Sequence, residues 1–583
     1  MIGSKPLAAA LVVLLAAAPF VLPEFHVTLL NYIGLYSIVA LGLVLVTGVA
    51  GLTSLGHAAL VGVAAYATAV LTTSGGLSPW VTLPISVGVT ALAALFIGIL
   101  TLRLSGHYFV LGTIAWGIAL NLVFGNVEKL GGYNGIPGIP ALSIAGHSLD
   151  SSRAYYCLIW GTALAALLTV ANLLDSRLGR ALRVVGRTTL AEAFGVHTAN
   201  LKIIAFVYSA VLAGFAGWLY AHYLRFVNPG PFGVNGSIEY LFMIVIGGAS
   251  HVGGAFVGAG IVTLLKTWLQ DLLPRLIGSA GQFEVIVFGA LIVILIHHAS
   301  AGVMPRLAPY IRRRRPLLAH GGGRLAERPK PGPGEALLEV QGATKAFGGL
   351  VAVNNVAFTL RSGEILGLIG PNGAGKTTLF NLITGVLRAS SGTIRFGGQR
   401  LDGLPSREIF RRGIARTFQL VQLHPTMSVL ENVALGAHAR GKRGVVAAAL
   451  HAERAEESRL LAEALAQLKR VGLDARMHDP AGKLPLGQQR IVEIGRALAA
   501  DPVLLLLDEP GAGLRHQEKQ ALVALLRSLR AEGLSVLLIE HDMELVMGLA
   551  DRLVVMDFGE KIAEGLPGAM QKDPKVIEAY LGV

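Results

Sequence analysis

Cysteine and charge are both scarce in this chain. Cys157 is alone among 583 residues, so no intrachain disulfide can form and no cysteine cluster can hold a metal. Lying in an apolar run, it is expected to be a small core residue. Charged residues make up 15%, well below the roughly 25% of soluble domains, and the mean hydropathy is +0.61. A wholly water-soluble enzyme is thereby excluded. The length exceeds one ordinary domain, so at least two are required, one of them in lipid. A net charge of +13 would suit nucleic acid, but the basic residues gather beside apolar runs, where cytoplasmic loops carry excess Lys and Arg. Membrane lipid, and no nucleic acid, is the expected partner.

Apolar stretches able to cross about 30 Å of hydrocarbon fall near residues 7–23, 27–48, 50–73, 79–102, 107–125, 154–174, 203–221, 238–249, 253–270 and 284–300. They predict a polytopic α-helical membrane domain of about ten transmembrane helices over residues 1–305. The first has Lys5 ahead of it and Ala16, Ala17 and Ala18 at its end, a signal-peptide pattern that in a polytopic chain reads as a retained first helix. The 238–249 stretch is short, and a re-entrant segment is its alternative.

Positive charge sets the orientation. Arg177, Arg180, Arg183 and Arg187 fall between spans six and seven, whereas residues 126–153 are nearly neutral. The arginine-rich loop is therefore expected in the cytoplasm, together with the N-terminus and everything after the last span. Glycines such as Gly48, Gly51, Gly56, Gly62, Gly247, Gly248, Gly253, Gly254 and Gly258 suit close helix packing or, alternatively, helix interruptions facing a polar substrate. Glu239 and Lys266 call for an explanation, because a charge at mid-membrane costs about 2.5 to 3.5 kcal/mol. Residues 176–196 read as a short amphipathic helix, either a topology-fixing loop or a coupling helix that docks on an ATPase.

Residues 306–336 form a basic, Gly/Pro-rich linker, with Arg312 to Arg315, Gly321 to Gly323 and Pro329, Pro331 and Pro333. It is flexible at its glycines and stiffer at its prolines, and its arginines suit anionic headgroups.

From residue 337 the pattern turns to alternating strands and helices. A strand at Glu364–Ile369 leads into Gly370-Pro371-Asn372-Gly373-Ala374-Gly375-Lys376-Thr377, a complete G-x-x-x-x-G-K-T loop. Its glycines let backbone N–H groups converge on phosphates, Lys376 can place its charge on the terminal ones, and the Thr377 hydroxyl can ligate Mg²⁺. Thr378, Asn372, Gly373 and Gly375 complete the nucleotide-binding set. A second strand, Val503–Leu507, ends in Asp508-Glu509. There Asp508 can hold Mg²⁺ and Glu509 can polarise the attacking water. Ala415-Arg416-Thr417-Phe418-Gln419 lies between these motifs, and Leu537 to Asp542 ends another strand with His541.

The ordered set resembles an ABC transporter ATPase over residues 337–583, giving an α/β P-loop ABC ATPase domain after the membrane domain. The resemblance implies that Phe347 stacks on adenine, that Gln419 ligates Mg²⁺ and water, and that His541 senses the terminal phosphate. The family's L-S-G-G-Q signature stands here as Leu484-Pro485-Leu486-Gly487-Gln488, which implies that Leu484, Gly487 and Gln488 reach a nucleotide held by a partner cassette. Pro485 lacks the serine hydroxyl and the N–H, and Arg515 replaces an aspartate common in the dimer-contact loop. Two unequal nucleotide sites are the consequence. The L-P-x-G-Q form and the tail Val576 to Gly582 are similar to one ATPase of branched-chain amino-acid importers, while Gly48 to His57, Gly131 to Ile136 and Ile246 to Gly248 resemble their second permease subunit.

Such a chain would be half of an importer in a bacterial inner membrane, using ATP and Mg²⁺. It would work with a second permease subunit, a second ABC ATPase subunit and a periplasmic substrate-binding protein, with a homodimer as an alternative. Urea or short amides remain alternative substrates, and a membrane-anchored regulatory ATPase without transport an alternative role.

Overall fold

A computed structural model describes residues 4–102, 107–277, 283–298, 301–311 and 325–581. The linker's Arg312 to Arg315 and Gly321 to Gly323 lie outside these. The chain divides into two compact units: residues 1–175, 199–316 and 445–451 form one, and residues 176–198, 317–444 and 452–583 form the other.

The first unit is helical, as long apolar runs require where backbone groups must satisfy one another. Its helices are α1 (Ser4–Val21), α2 (Glu24–Leu43), α3 (His57–Thr73), α4 (Pro79–Thr101), α5 (His107–Asn126), α6 (Ser152–Leu174), α9 (Thr198–Leu224), α10 (Val234–Gly247), α11 (Val252–Ile277), α12 (Phe283–His298) and α13 (Met304–Ile311). Each of the ten predicted apolar stretches overlaps one of α1 to α6 or α9 to α12. Among the described residues, however, six helices are long and apolar enough to cross a membrane, while α3 and α10 fall short. At 1.5 Å per residue, the 14 residues of α10 reach about 21 Å. Four two-residue strands, β1 (Ile136–Pro137), β2 (Ser143–Ile144), β3 (His147–Ser148) and β4 (Phe226–Val227), sit in the connections.

Small residues bring these helices together. A Cβ on Gly48 would strike the Ala249 carbonyl, one on Gly258 the Met243 carbonyl, and one on Gly247 the Gly254 backbone. Gly51 is different: it turns the chain at φ +71° with open space beside it, just after α2 ends in a π-helical turn, Val44–Val49. Glu239 of α10 and Lys266 of α11 form an ion pair at 2.7 Å. Cys157 is exposed rather than in the core. Lipid is as apolar as a protein core, so a small apolar side chain on a membrane-crossing helix need not be buried.

The second unit holds two sheets. Strands β5 (Ala336–Phe347), β6 (Leu350–Arg361), β8 (Ser391–Phe396) and β9 (Gln399–Arg400) make an antiparallel sheet in the order β6-β5-β8-β9. A six-stranded sheet has the order β10-β11-β12-β7-β13-β14, with β7 (Ile365–Ile369), β10 (Ile414–Arg416), β11 (Leu504–Asp508), β12 (Ser535–Ile539), β13 (Arg552–Asp557) and β14 (Glu560–Gly565). All its pairings are parallel except β13 with β14. Strands β7, β11 and β12 are buried at every residue, the pattern of a parallel sheet covered on both faces. Helices α14 (Lys376–Ile383), α15 (Ser406–Arg411), α20 (His516–Ala531), α21 (Met543–Leu549), α22 (Pro567–Met570) and α23 (Pro574–Leu581) belong to this unit, as do α16 (Val429–Gly436), α18 (Arg454–Arg470) and α19 (Leu486–Leu498), which share a second core; α17 (Val445–Ala449) goes with the first unit.

The arginine-rich segment folds as two short helices rather than one, α7 (Arg177–Val184) and α8 (Thr188–Glu192). The Ser176 hydroxyl caps α7 by accepting from the N–H groups of Leu178 and Gly179, and the chain turns at Val185 to Arg187. Both helices belong to the second unit. Arg180 forms a two-pronged pair with Glu457 of α18 that is almost wholly buried, while Arg183 reaches Glu431 of α16 at 3.0 Å. Arg177 and Arg187 donate to the carbonyls of His438 and Leu423. Phe194 meets the edge of Phe410, and the Arg496 guanidinium lies 4.4 Å over its ring.

Candidate nucleotide site

Parallel strands deliver their C-terminal ends to one edge of the sheet, and the loops beyond that edge are where such folds bind ligands. Here the edge carries Gly370 after β7, Thr417 after β10, Glu509 after β11 and Glu540 after β12. The backbone of the first loop requires glycine at two places. Gly370 (φ +149°) and Gly375 (φ +91°) both sit where a Cβ would collide with a backbone carbonyl, that of Met556 and that of Ala352 respectively. Lys376, the first residue of α14, is buried, and its ammonium donates to the carbonyls of Gly370 and Pro371, both at 2.8 Å. Burial pushes its pKa down, against the pull of Glu509 and Asp508. Thr377 is exposed, Thr378 half-buried, and Asn372 and Gly373 are exposed.

Asp508 closes β11 with only 2% of its surface exposed. Its N–H donates to the Thr417 hydroxyl at 3.3 Å, and its Oδ1 is buried without a hydrogen-bond partner among the described residues. Burial pushes its pKa up to about 6; Arg416 opposes this and the neighbouring Glu509 adds to it. Arg416 is held by Asn381 of α14 and by Thr384 just beyond it. Glu509 adopts a left-handed backbone at φ +47°, unusual for a side-chain-bearing residue, and its N–H donates to the Ile539 carbonyl at 2.9 Å. His541 Nδ1 lies 3.8 Å from Glu509 and 3.9 Å from Glu540. Burial raises the pKa of Glu540, whose carboxylate accepts from the N–H of Gly511.

Lys376, Asp508, Glu509 and His541 are thus brought to one edge. Gln419 is exposed, with its carbonyl accepting from Arg490 of α19. Phe347 is 46% exposed at the end of β5, with Lys345 Nζ 5.0 Å over its ring. The segment 484–488 is not in this cluster. Leu484 is buried in the helical core rather than in the one beneath the phosphate loop, Gly487 packs against Glu518 of α20, and Gln488 keeps a buried Oε1 without a partner among the described residues. Sequence reasoning did not find one contact: the Tyr580 hydroxyl of α23 accepts from the Gly370 N–H at 2.8 Å. An aromatic 210 positions downstream gives no local sign of such a role.

The permease component of the branched-chain amino acid transport system matches residues 25–296, the ABC transporter family residues 353–512, and the branched-chain amino acid ATP-binding cassette transporter family residues 560–583. The high-affinity branched-chain amino acid transport ATP-binding protein LivG of Salmonella typhimurium is 45% identical over 251 residues, 42% of this chain and 98% of that one. The corresponding protein BraF of Pseudomonas aeruginosa is 43% identical over 249 residues, with the same coverage of both chains. The chain belongs to the branched-chain amino acid ABC transporter family. It joins that family's multi-pass permease to its ATP-hydrolysing, nucleotide-binding cassette. A solved nucleotide-free ATP-binding cassette is 33% identical over 42% of this chain and 100% of that one, with a TM-score of 0.39.

Proposed function

We propose that this chain is one permease–ATPase half of an importer that carries branched-chain or closely related small amino acids into the cytoplasm across a bacterial inner membrane. The observation that carries the reading is the arginine-rich segment, which interrupts the permease in sequence yet is seated on cassette helices α16 and α18 through Arg180–Glu457 and Arg183–Glu431. Domain 1–305 is the permease, 306–336 the linker and 337–583 the cassette, with the N-terminus and the cassette cytoplasmic. A working engine needs two of each domain, so a second permease, a second ATPase and a periplasmic binding protein complete it.

In this reading the loop amides and Lys376 hold the terminal phosphates of ATP, together with Asn372, Gly373, Gly375 and Thr378, while Phe347 stacks on adenine. Thr377, Gln419 and Asp508 supply an all-oxygen donor set, and the orphaned Oδ1 of Asp508 fits a hard cation that takes one carboxylate and leaves its other positions to phosphate and water. Mg²⁺ bound there supplies charge neutralisation on the phosphates. Glu509 orients and polarises the attacking water, and His541, within reach of Glu509, contacts the terminal phosphate. Leu484, Gly487 and Gln488 serve the partner cassette's nucleotide, in keeping with their separation from this chain's own phosphate loop.

Reconstitution of the chain with its partners in proteoliposomes, following labelled leucine, tests the reading. ATP-dependent uptake that stops in Glu509→Gln, with ATP binding retained, is expected. Uptake of urea or acetamide without any amino acid would replace the substrate class. No flux of any of these would leave a regulatory ATPase.

A further inference from the structure

The ion pair between Glu239 and Lys266 is not packed shut. Its two side chains keep 30% and 40% of their surface, whereas Arg180 and Glu457 keep 3% and 4%. The open pair lines a cavity of about 280 Å³ between α2, α10 and α11, whose walls include Tyr32, Tyr36, Met243 and Val262. That volume lies at the small end of ligand sites, which run from about 300 Å³ upward, and it suits an amino acid better than a larger solute.

The cavity's position follows from α6. The start of that helix is tied to α2, with Ser152 bonded to Thr28 at 2.7 Å and its carbonyl accepting from Asn31 at 2.8 Å. Its other end, Leu174, runs into the arginine-rich segment. Residues 25–36 of α2 therefore lie at the end of the bundle opposite Leu174, and since the arginines follow Leu174 in sequence, the positive-inside rule assigns residues 25–36 to the outer half.

We infer that this cavity is an outer-half binding site for the zwitterionic head of an α-amino acid. The inference rests on the importer reading above. Glu239 accepts from the α-ammonium and Lys266 donates to the α-carboxylate, so one internal pair is exchanged for two charge-assisted contacts and the site stays electrically neutral whether filled or empty. An amine alone would strand Lys266 and an acid alone would strand Glu239, each leaving an unpaired charge in the cavity. The small aliphatic side chain packs against Tyr32, Tyr36, Met243 and Val262. Urea, which bears no charge, gains nothing from the pair.

The test is initial-rate uptake of labelled leucine by the complete transporter in proteoliposomes, with leucinamide and 4-methylpentanoate as competitors. Lys266→Met should raise the KM by at least about tenfold, the worth of one charge-assisted hydrogen bond, and should erase the preference for leucine over leucinamide. Glu239→Gln should do the same against 4-methylpentanoate. Lys266→Arg and Glu239→Asp should restore discrimination. Uptake with unchanged KM and unchanged discrimination overturns the inference while leaving the importer reading intact, as does discrimination that the conservative variants fail to restore. Absence of amino-acid uptake by the unaltered transporter overturns both.

Discussion

Asp508 is the residue at which burial and chemistry meet most directly. Its carboxyl is held up to about 6 from an ordinary 3.8, so the folded, nucleotide-free cassette binds this proton more tightly than the unfolded chain does. The associated stability is fully present below the unfolded value and is lost as pH rises through about 6. A shift of about two pH units is worth on the order of 3 kcal/mol. Asp508→Asn, which carries no charge to desolvate, should therefore unfold at a higher temperature than the parent at neutral pH and at a similar one in acid. A nucleotide-free thermal-shift series across pH reads this directly, and parallel curves for the two proteins would refute it.

Of the arginines through which helix α7 touches the cassette, Arg180 and Arg183 are unequally buried. Removing one partner of a buried pair costs about 3 to 5 kcal/mol, whereas a partly exposed pair contributes about 0.2 to 1 kcal/mol. Arg180→Ala should accordingly disturb the seat of α7 far more than Arg183→Ala, since the latter's pair keeps 27% and 23% of its side-chain surface. Charge reversal at both positions should leave ATP hydrolysis running while leucine uptake falls away. Paired measurements of phosphate release and uptake would show it, and normal uptake would reduce the segment to a topological anchor. One amphipathic helix was expected here, and two were found. The reason is not local: Val185 to Arg187 turn the chain, and Phe194 beyond them meets Phe410 and Arg496, residues more than 200 positions away.

For the whole molecule, the symmetry of the assembly is the open physical variable. Pro485 stands at the exposed start of α19 without a hydroxyl or an N–H to offer a neighbour. If a preorganised donor is worth about 2.7 to 4 kcal/mol, a homodimer of this chain should hydrolyse ATP slowly, and Pro485→Ser should accelerate it by up to about three orders of magnitude. An unchanged rate in purified homodimer would show the substitution to be neutral. The strand–loop–helix order at the phosphate loop, the glycines of that loop and the strand-end residues Asp508 and Glu509 were legible because each depends on short-range pattern. Less legible was whatever depends on distant neighbours. Cys157 looked like core because its run is apolar, but in a membrane helix the apolar face also points outward, so hydropathy does not report burial. The pairing of Glu239 with Lys266 depends on how α10 packs on α11, which spacing along the chain does not encode.

The hydrogen bond from Gly370 to Tyr580 spans 210 positions, and this matters for the order of synthesis. A ribosome releases the membrane helices first, then the phosphate loop, and only much later the tyrosine that takes up the loop's first amide. During that interval the nascent loop lacks one of its own anchors, so the motor's mouth is fully braced only after the body it drives has been made.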